Sequence, residues 1–133
     1  MKQNRTHGKS VLVVDDELSV LQALKLVLTM DHYTVTPASN GAEALALYAA
    51  NQFDLVITDF NMPLMKGDEL ASRIKGMAPS QPILMITGYG NDLDSSYNPV
   101  DAILTKPFRV DELREAIASL LAPESQTALL ATA

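Results

Sequence analysis

The sequence predicts an α/β fold in which helices cover both faces of a five-stranded parallel β-sheet. Short apolar runs alternate along the chain with segments whose apolar residues recur at helical spacing, a pattern typical of βα units. Most of the apolar runs also lack polar alternation, as expected of strands that are buried on both faces. The crossovers between such parallel strands are expected to be right-handed.

Five segments have the composition of strands. They span residues 11–14, 33–36, 53–58, 82–87 and 102–105. The second is more polar than the others and is closely followed by Pro37, which predicts a strand at an edge of the sheet.

Helices are predicted between these strands and after the last one. Their inward-facing residues are Val20, Leu21, Leu24, Val27 and Leu28; then Leu45, Tyr48 and Ala49; then Leu70 and Ile74; and last Leu113, Ile117, Leu120 and Leu121. Asn40 followed by Glu43 predicts a capping box at the second helix. The segment 91–100 is polar and is interrupted by Pro99, so it predicts a helix that is short or irregular.

Composition limits the possible functions. A chain of 133 residues with 47% hydrophobic content fits one domain, with a polar, disordered tail expected at residues 1–9 and a C-terminal tail at residues 123–133. The net charge of −6 argues against direct binding of nucleic acid. Without cysteine, disulfides, thiolate catalysis and Cys-ligated zinc are excluded. No apolar run approaches the ~18 residues of a membrane span, so we expect a cytoplasmic protein that does not bind membranes.

Polar residues follow four of the predicted strands, and parallel strands bring these ends to one edge of the sheet. They are Asp15, Asp16, Asp59, Thr87 and Lys106. Asp59 alone could simply begin a turn. Three converging carboxylates, however, favour a hard divalent cation such as Mg²⁺, which prefers oxygen ligands.

Such a site could accept a phosphoryl group. Asp59 is placed to act as the nucleophile, because aspartate carboxylates can form acyl phosphates. Lys106 would stabilise the charge on the transferred oxygens, and the Thr87 hydroxyl could donate a hydrogen bond to one of them.

Four motifs coincide with these strand ends. They are VVDDE at 13–17, TDFNMPLMKG at 58–67, TG at 87–88 and TKPF at 105–108. With them, the sequence from Ser10 to Leu121 resembles the receiver domains of two-component response regulators. The resemblance implies a flavodoxin-like, doubly wound (βα)₅ fold with strand order 2-1-3-4-5, and a receiver domain over residues 10–122.

The resemblance also implies roles for individual residues. Asp59 would be the phosphoacceptor. Mg²⁺ would be bound directly by Asp16, mostly through water by Asp15, by Asp59, and by the backbone carbonyl of Asn61. Lys106 would pair with the phosphoryl oxygens, and its bond to Pro107 is expected to be cis. Thr87 would report the phosphoryl group to the adjacent loop.

Two departures from the family pattern concern the signalling switch. The family usually has Tyr or Phe three residues before its Lys, and here that residue is Ile103. The spacing from Thr87 to Lys106 is also shorter than usual. Since β-branched Ile is stiff at χ1, we expect Ile103 to keep its position on phosphorylation.

Several functions are compatible with this pattern. The first is a stand-alone receiver, a regulatory domain rather than an enzyme, which assists its own phosphotransfer and dephosphorylation and acts on an unknown target protein. Its phosphodonor would be a sensor histidine kinase or a histidine phosphotransfer protein. The second is a phosphorelay shuttle to a histidine phosphotransfer protein. The third, a Mg²⁺-dependent aspartyl-phosphate phosphohydrolase, usually needs an Asp where this chain has Asn61. A flavodoxin-like cofactor binder would need a phosphate-binding loop where this chain has carboxylates.

Overall fold

A computed structural model describes residues 8–88 and 99–122 of the protein. The strands in this part of the chain are β1 (Ser10–Val14), β2 (Thr34–Ala38), β3 (Leu55–Asp59), β4 (Ile83–Thr87) and β5 (Ala102–Thr105). The helices are α1 (Leu18–Met30), α2 (Gly41–Ala50), α3 (Gly67–Met77) and α4 (Val110–Leu121). The five predicted strands are confirmed, with small differences at their ends.

All strand pairs in the sheet are parallel, and the strand order is β2-β1-β3-β4-β5. Val11 of β1, for example, is in register with Val35 of β2 on one side and with Leu55 of β3 on the other. The predicted order 2-1-3-4-5 is therefore confirmed, and β2 lies at an edge as expected.

Two apolar cores lie on opposite faces of this sheet. Helices α1 and α4 cover one face with Leu21, Leu24, Leu28, Leu113 and Ile117. Helices α2 and α3 cover the other with Ala44, Leu70, Ala71 and Ile74. Successive residues of β1 point alternately into the two cores, Val11 and Val13 into the first and Leu12 and Val14 into the second. This explains why the apolar runs show no polar alternation.

Two details of β2 and α2 differ from expectation. Pro37 lies within β2 rather than after it, which an edge strand tolerates because the missing N–H can face outward. Ala49 was predicted on the inner face of α2, and this is wrong, because Ala49 is exposed and Ala44 is buried instead. The small residues of α2 allow a shift of its buried face without a large loss of apolar contact.

The start of α2 is capped by Asn40, whose Oδ1 accepts a hydrogen bond from the backbone N–H of Glu43 at 2.7 Å. The carboxylate of Glu43 accepts hydrogen bonds from the backbone N–H and hydroxyl of Ser39, at 2.8 and 3.0 Å. These bonds lower the pKa of Glu43 from its ordinary value. In the predicted capping box, the Glu43 carboxylate would accept the backbone N–H of Asn40. In the structure it accepts the backbone N–H of Ser39 instead.

Several expectations fall on residues 1–7, 89–98 and 123–133, which lie outside the described residues. The short or irregular fourth helix is among them, and it stays a prediction. Gly8 and Lys9, which the sequence assigns to the tail, form backbone hydrogen bonds with His32 and Thr34 at 3.2 and 2.8 Å. Within residues 8–88 and 99–122, no helix is long and apolar enough to cross a membrane.

Lys75 joins α3 to the amino ends of β4 and β5. Its ammonium donates to the backbone carbonyl of Gln81 at 2.7 Å and to Asp101 Oδ2 at 2.8 Å. The same carboxylate oxygen accepts the backbone N–H of Ile83 at 2.8 Å. This network fixes the edge of the sheet opposite the predicted site.

The Lys75 network can be tested by substitution. Lys75→Met is expected to lower the free energy of unfolding by about 1–2 kcal/mol, because it removes the charge-assisted hydrogen bonds to Gln81 and Asp101 from a partly buried position. The side chain of Lys75 is 21% exposed, whereas that of Arg73, which pairs with Glu69 in the same helix, is 56% exposed. Arg73→Met should therefore cost less than about 0.5 kcal/mol. Urea denaturation followed by circular dichroism measures both, and equal losses would contradict this interpretation.

Candidate functional site

The acidic loop after β1 supplies two carboxylates. Asp15 is buried, and its Oδ1 accepts a hydrogen bond from the backbone N–H of Glu17 at 2.9 Å. Asp16 is exposed. Glu17 occupies the N-cap position of α1, so the turn that begins this helix also holds Asp15 in place.

Asp59 is the last residue of β3 and is 6% exposed. Its backbone is held closely by the next helix, since Gly67 at the start of α3 packs directly on the carbonyl of Asp59. A Cβ on Gly67 would lie 2.9 Å from Phe60 Cα and 2.9 Å from Met85 Sδ. Only glycine therefore permits this approach, which fixes the backbone of Asp59.

The carboxylates of Asp15, Asp16 and Asp59 converge at the carboxyl edge of the sheet. One oxygen from each lies within 4.8 Å of the others. This donor set consists of oxygen atoms alone, which is the chemistry that Mg²⁺ prefers. The residues present thus fit the cation expected from the sequence.

Lys106, the residue after β5, completes the cluster. Its Nζ lies 3.1 Å from Asp59 Oδ1. The backbone N–H of Lys106 donates to the carbonyl of Thr87 at 2.8 Å, which ties the end of β5 to the end of β4. The peptide bond between Lys106 and Pro107 is cis, as expected.

The electrostatics of the cluster follow from burial. Burial raises the pKa of Asp15 to about 6, because the hydrogen bond from Glu17 and the charge of Lys106 only partly offset the lost solvation. Burial also raises the pKa of Asp59, against the opposing effects of Lys106 and of a hydrogen bond from the backbone of Asn61. A divalent cation bound to these oxygens would favour their charged forms.

The pKa of Lys106 is raised, although its burial alone would lower it. Burial acts to lower it, but the hydrogen bond to Asp59 and the charges of Asp59, Asp15 and Glu17 together raise it. Lys106 is therefore held as an ammonium group beside the Asp59 carboxylate.

The structure places the remaining predicted site residues at the same edge of the sheet. Thr87 is buried and ends β4. Asn61 is exposed in the loop between β3 and α3, and its backbone N–H donates to the Asp59 carboxylate. Ile103 lies on β5 and is 40% exposed. That its side chain keeps its position on phosphorylation stays a prediction.

Comparison with known proteins identifies the family. The sequence model of the response regulator receiver domain family matches residues 11–118 of this chain. The chain belongs to the response regulator receiver domain family. Receiver domains are regulatory phosphoacceptors that take phosphoryl groups from histidine kinases.

Two curated relatives show different extents of similarity to this receiver domain. This chain is 36% identical to the transcriptional regulatory protein GlrR of Escherichia coli, in an alignment that covers 80% of the chain and 25% of GlrR. It is 30% identical to sporulation initiation phosphotransferase F of Bacillus subtilis, over 86% of the chain and 94% of the relative. The chain thus spans about a quarter of the length of the first of these relatives and nearly all of the second.

A solved structure supports the same family. The response regulator TrrA of Thermotoga maritima, crystallised in complex with Mg²⁺ and BeF, is 36% identical to this receiver domain. The two superpose with a TM-score of 0.79, covering 85% of this chain and 99% of TrrA.

Sequence reasoning gave no role to Lys66 and Gly67 in the receiver domain. Gly67 packs on Asp59, and Lys66 Nζ lies 3.2 Å from Asn61 Oδ1. A signal for Lys66 was present, since a cation next to the amino end of a helix is unfavourable and invites another explanation. The role of Gly67 depends on the close approach of α3 to the end of β3, and the spacing of apolar residues along a helix does not reveal such a contact.

Leu64, in the loop between Asp59 and α3, has a left-handed backbone with φ of 71° and a fully exposed side chain. Asn tolerates this conformation better than Leu. Leu64→Asn is therefore expected to raise the free energy of unfolding by roughly 0.5–1 kcal/mol, since it relieves part of the left-handed backbone strain without loss of packing. Leu64→Ala, which removes the same exposed side chain but keeps the strain, should give no such gain. Thermal unfolding of both variants decides this, and stabilisation by Ala alone would contradict it.

Proposed function

We propose that Asp59 is the phosphoacceptor of this receiver domain and that Mg²⁺ is required for its phosphorylation. The observation that carries the proposal is the position of the Asp59 carboxylate, which is buried 3.1 Å from Lys106 Nζ and shares a cluster with Asp15 and Asp16. Of the three carboxylates, only Asp59 combines a strand end, burial and a direct ammonium contact. Asp15 and Asp16 would then act as metal ligands together with Asp59.

Phosphoryl transfer from a phosphohistidine donor proceeds by attack of a carboxylate oxygen of Asp59 on phosphorus. The new bond joins this oxygen to phosphorus, while the bond between phosphorus and the imidazole nitrogen breaks and its electron pair returns to the ring. Bound Mg²⁺ would supply positive charge that offsets the carboxylates and the transferred oxygens. Asp16 would ligate it directly, Asp15 mostly through water, and Asn61 through its backbone carbonyl.

The protein groups around Asp59 would stabilise the product. The ammonium of Lys106 already contacts Asp59 Oδ1 and would pair with a phosphoryl oxygen. Thr87, at the neighbouring strand end, would donate its hydroxyl hydrogen bond to another oxygen and carry the change to the following loop. These roles need no protein acid or base, so the domain acts as a phosphoacceptor rather than as a general hydrolase.

The output of the phosphorylated domain is proposed to be the binding of a target protein. A second candidate, a phosphorelay shuttle, is favoured by the similarity to sporulation initiation phosphotransferase F, which this chain matches over 94% of its length. Incubating the phosphorylated domain with purified histidine phosphotransfer proteins separates the two. Transfer of the phosphoryl group to histidine supports the shuttle, and retention on the domain supports target binding.

The assignment of Asp59 predicts a mass change. Incubation with acetyl phosphate and Mg²⁺ should add one phosphoryl group to the protein, and Asp59→Asn should abolish this addition while the fold is retained. Asp54→Asn is a matched control, because Asp54 lies just before the amino end of the same strand, where its Oδ2 accepts the Ser10 N–H at 2.7 Å. Intact-mass spectrometry measures all three proteins. Addition that persists in Asp59→Asn would refute the assignment.

The metal site predicts a specific loss of Mg²⁺ affinity. Asp16→Ala should weaken binding by at least about tenfold, because even the outer-shell partners of metal sites typically contribute that much. Glu17→Ala removes the same charge from the next residue and should have a smaller effect. A Mg²⁺ titration followed by amide NMR shifts at Asp15 and Thr87 compares the variants. Equal affinities for wild type and Asp16→Ala would contradict the proposed ligand.

A further inference from the structure

Lys66 ends the loop that joins Asp59 to α3, and its ammonium points back across this loop. Nζ lies 3.2 Å from Asn61 Oδ1 and 5.6 Å from the centre of the Phe60 ring. The ammonium is therefore shared between a side-chain oxygen and an aromatic face, both of which attract cations.

The loop holds these groups in place at both ends. The backbone N–H of Phe60 donates to the backbone carbonyl of Ile86 at 2.8 Å. The backbone N–H of Gly67 donates to the backbone carbonyl of Phe60, also at 2.8 Å. Asn61 in turn donates its backbone N–H to the Asp59 carboxylate. Lys66 thus contacts the residue that itself contacts the proposed phosphoacceptor.

The helix that follows does not explain why Lys is present at this position. Lys66 is the N-cap residue of α3 and makes no side-chain capping bond. Ser, Thr, Asp and Asn are preferred at N-caps because they accept a hydrogen bond there, and the helix dipole disfavours a cation at this end. Asp68 and Glu69 in the first turn complement the dipole instead. The contacts of Lys66 with Asn61 and Phe60 are therefore its evident local role.

The chemistry next to Asn61 gives this contact a consequence. Hydrolysis of an acyl phosphate on Asp59 requires water to attack phosphorus on the side opposite the bond to the Asp59 oxygen. The oxygen–phosphorus bond breaks, its electron pair returns to the carboxylate, and the proton of the water ends on the released phosphate. A side-chain oxygen near this path can orient the water by accepting its hydrogen bond. Asn61, two residues after Asp59, carries a side-chain oxygen of this kind, and Lys66 Nζ donates to this oxygen at 3.2 Å.

We propose that Lys66 is a positioning residue that prolongs the phosphorylated state by holding Asn61 Oδ1 away from the attacking water. The inference rests on the proposed function, since it requires an acyl phosphate on Asp59. It adds a control on the lifetime of that group by a residue outside the metal and phosphoryl contacts.

The test follows the decay of the phosphorylated protein. Each variant is labelled with acetyl phosphate and Mg²⁺, separated from the donor by gel filtration, and followed by intact-mass spectrometry. Lys66→Met should decay roughly two- to fivefold faster than wild type, a factor typical of one solvent-exposed hydrogen bond. Lys66→Arg, which keeps a charged donor, should decay nearly as slowly as wild type. Lys25→Met on α1 controls for the loss of one positive charge.

A second background separates action through Asn61 from a direct effect of charge. If Lys66 acts through Asn61, Lys66→Met should change nothing when introduced into Asn61→Ala. Acceleration that persists in the double variant, or that is equally large in Lys25→Met, would overturn the proposal. The NMR signals of the Asn61 side-chain amide provide a further measurement, made without Mg²⁺ or acetyl phosphate. They should shift in Lys66→Met, and unchanged signals would contradict the contact itself.

The outcomes also distinguish this inference from the proposed function. If wild type and all variants acquire a phosphoryl group on Asp59 and decay at one rate, only the role of Lys66 is refuted. If wild type acquires none, the proposed function fails and the inference fails with it.

Discussion

The burial of two neighbouring carboxylates beside a single ammonium group is the constraint on which this structure depends. Asp15 and Asp59 are almost fully removed from solvent, and burial raises the pKa of both. Lys106 compensates only part of this cost, since Asp16 adds a third negative charge to the cluster. The carboxylates cannot move apart, because β1 and β3 hold them at adjacent strand ends.

The apolar layers of the fold provide the rigidity that this arrangement requires. Strands β3 and β4 are buried along their whole length, and their side chains contribute to the apolar cores on both faces of the sheet. Well-packed interiors relax little, so a side chain at the end of such a strand keeps its position. The approach of Gly67 to the backbone of Asp59 extends this rigidity into the loop. The packing of the two cores thus offsets the cost of holding the buried carboxylates of Asp15 and Asp59 close together.

The fold was largely predictable, because buried parallel strands and amphipathic helices leave distinct periodic patterns. The convergence of Asp15, Asp59, Thr87 and Lys106 followed from the rule that parallel strands share a carboxyl edge. The error at Ala49 has a different origin, since a helix rich in alanine has no strong apolar stripe to fix its rotation. The partner of Glu43 was also beyond prediction, because Ser39 and Asn40 present equivalent backbone donors and local geometry decides between them.

The loop between β3 and α3 departs furthest from local preference. Leu64 adopts a left-handed backbone and Lys66 occupies an N-cap, choices that an isolated peptide would disfavour. The conformation persists because Phe60 and Gly67 form hydrogen bonds at the two ends of the loop, one of them to β4. With the backbone fixed by these contacts, the side chains between them need not stabilise the loop themselves. The position of Lys66 beside Asn61 therefore suits the role proposed for it above, since the main-chain bonds at the loop ends do not depend on this side chain.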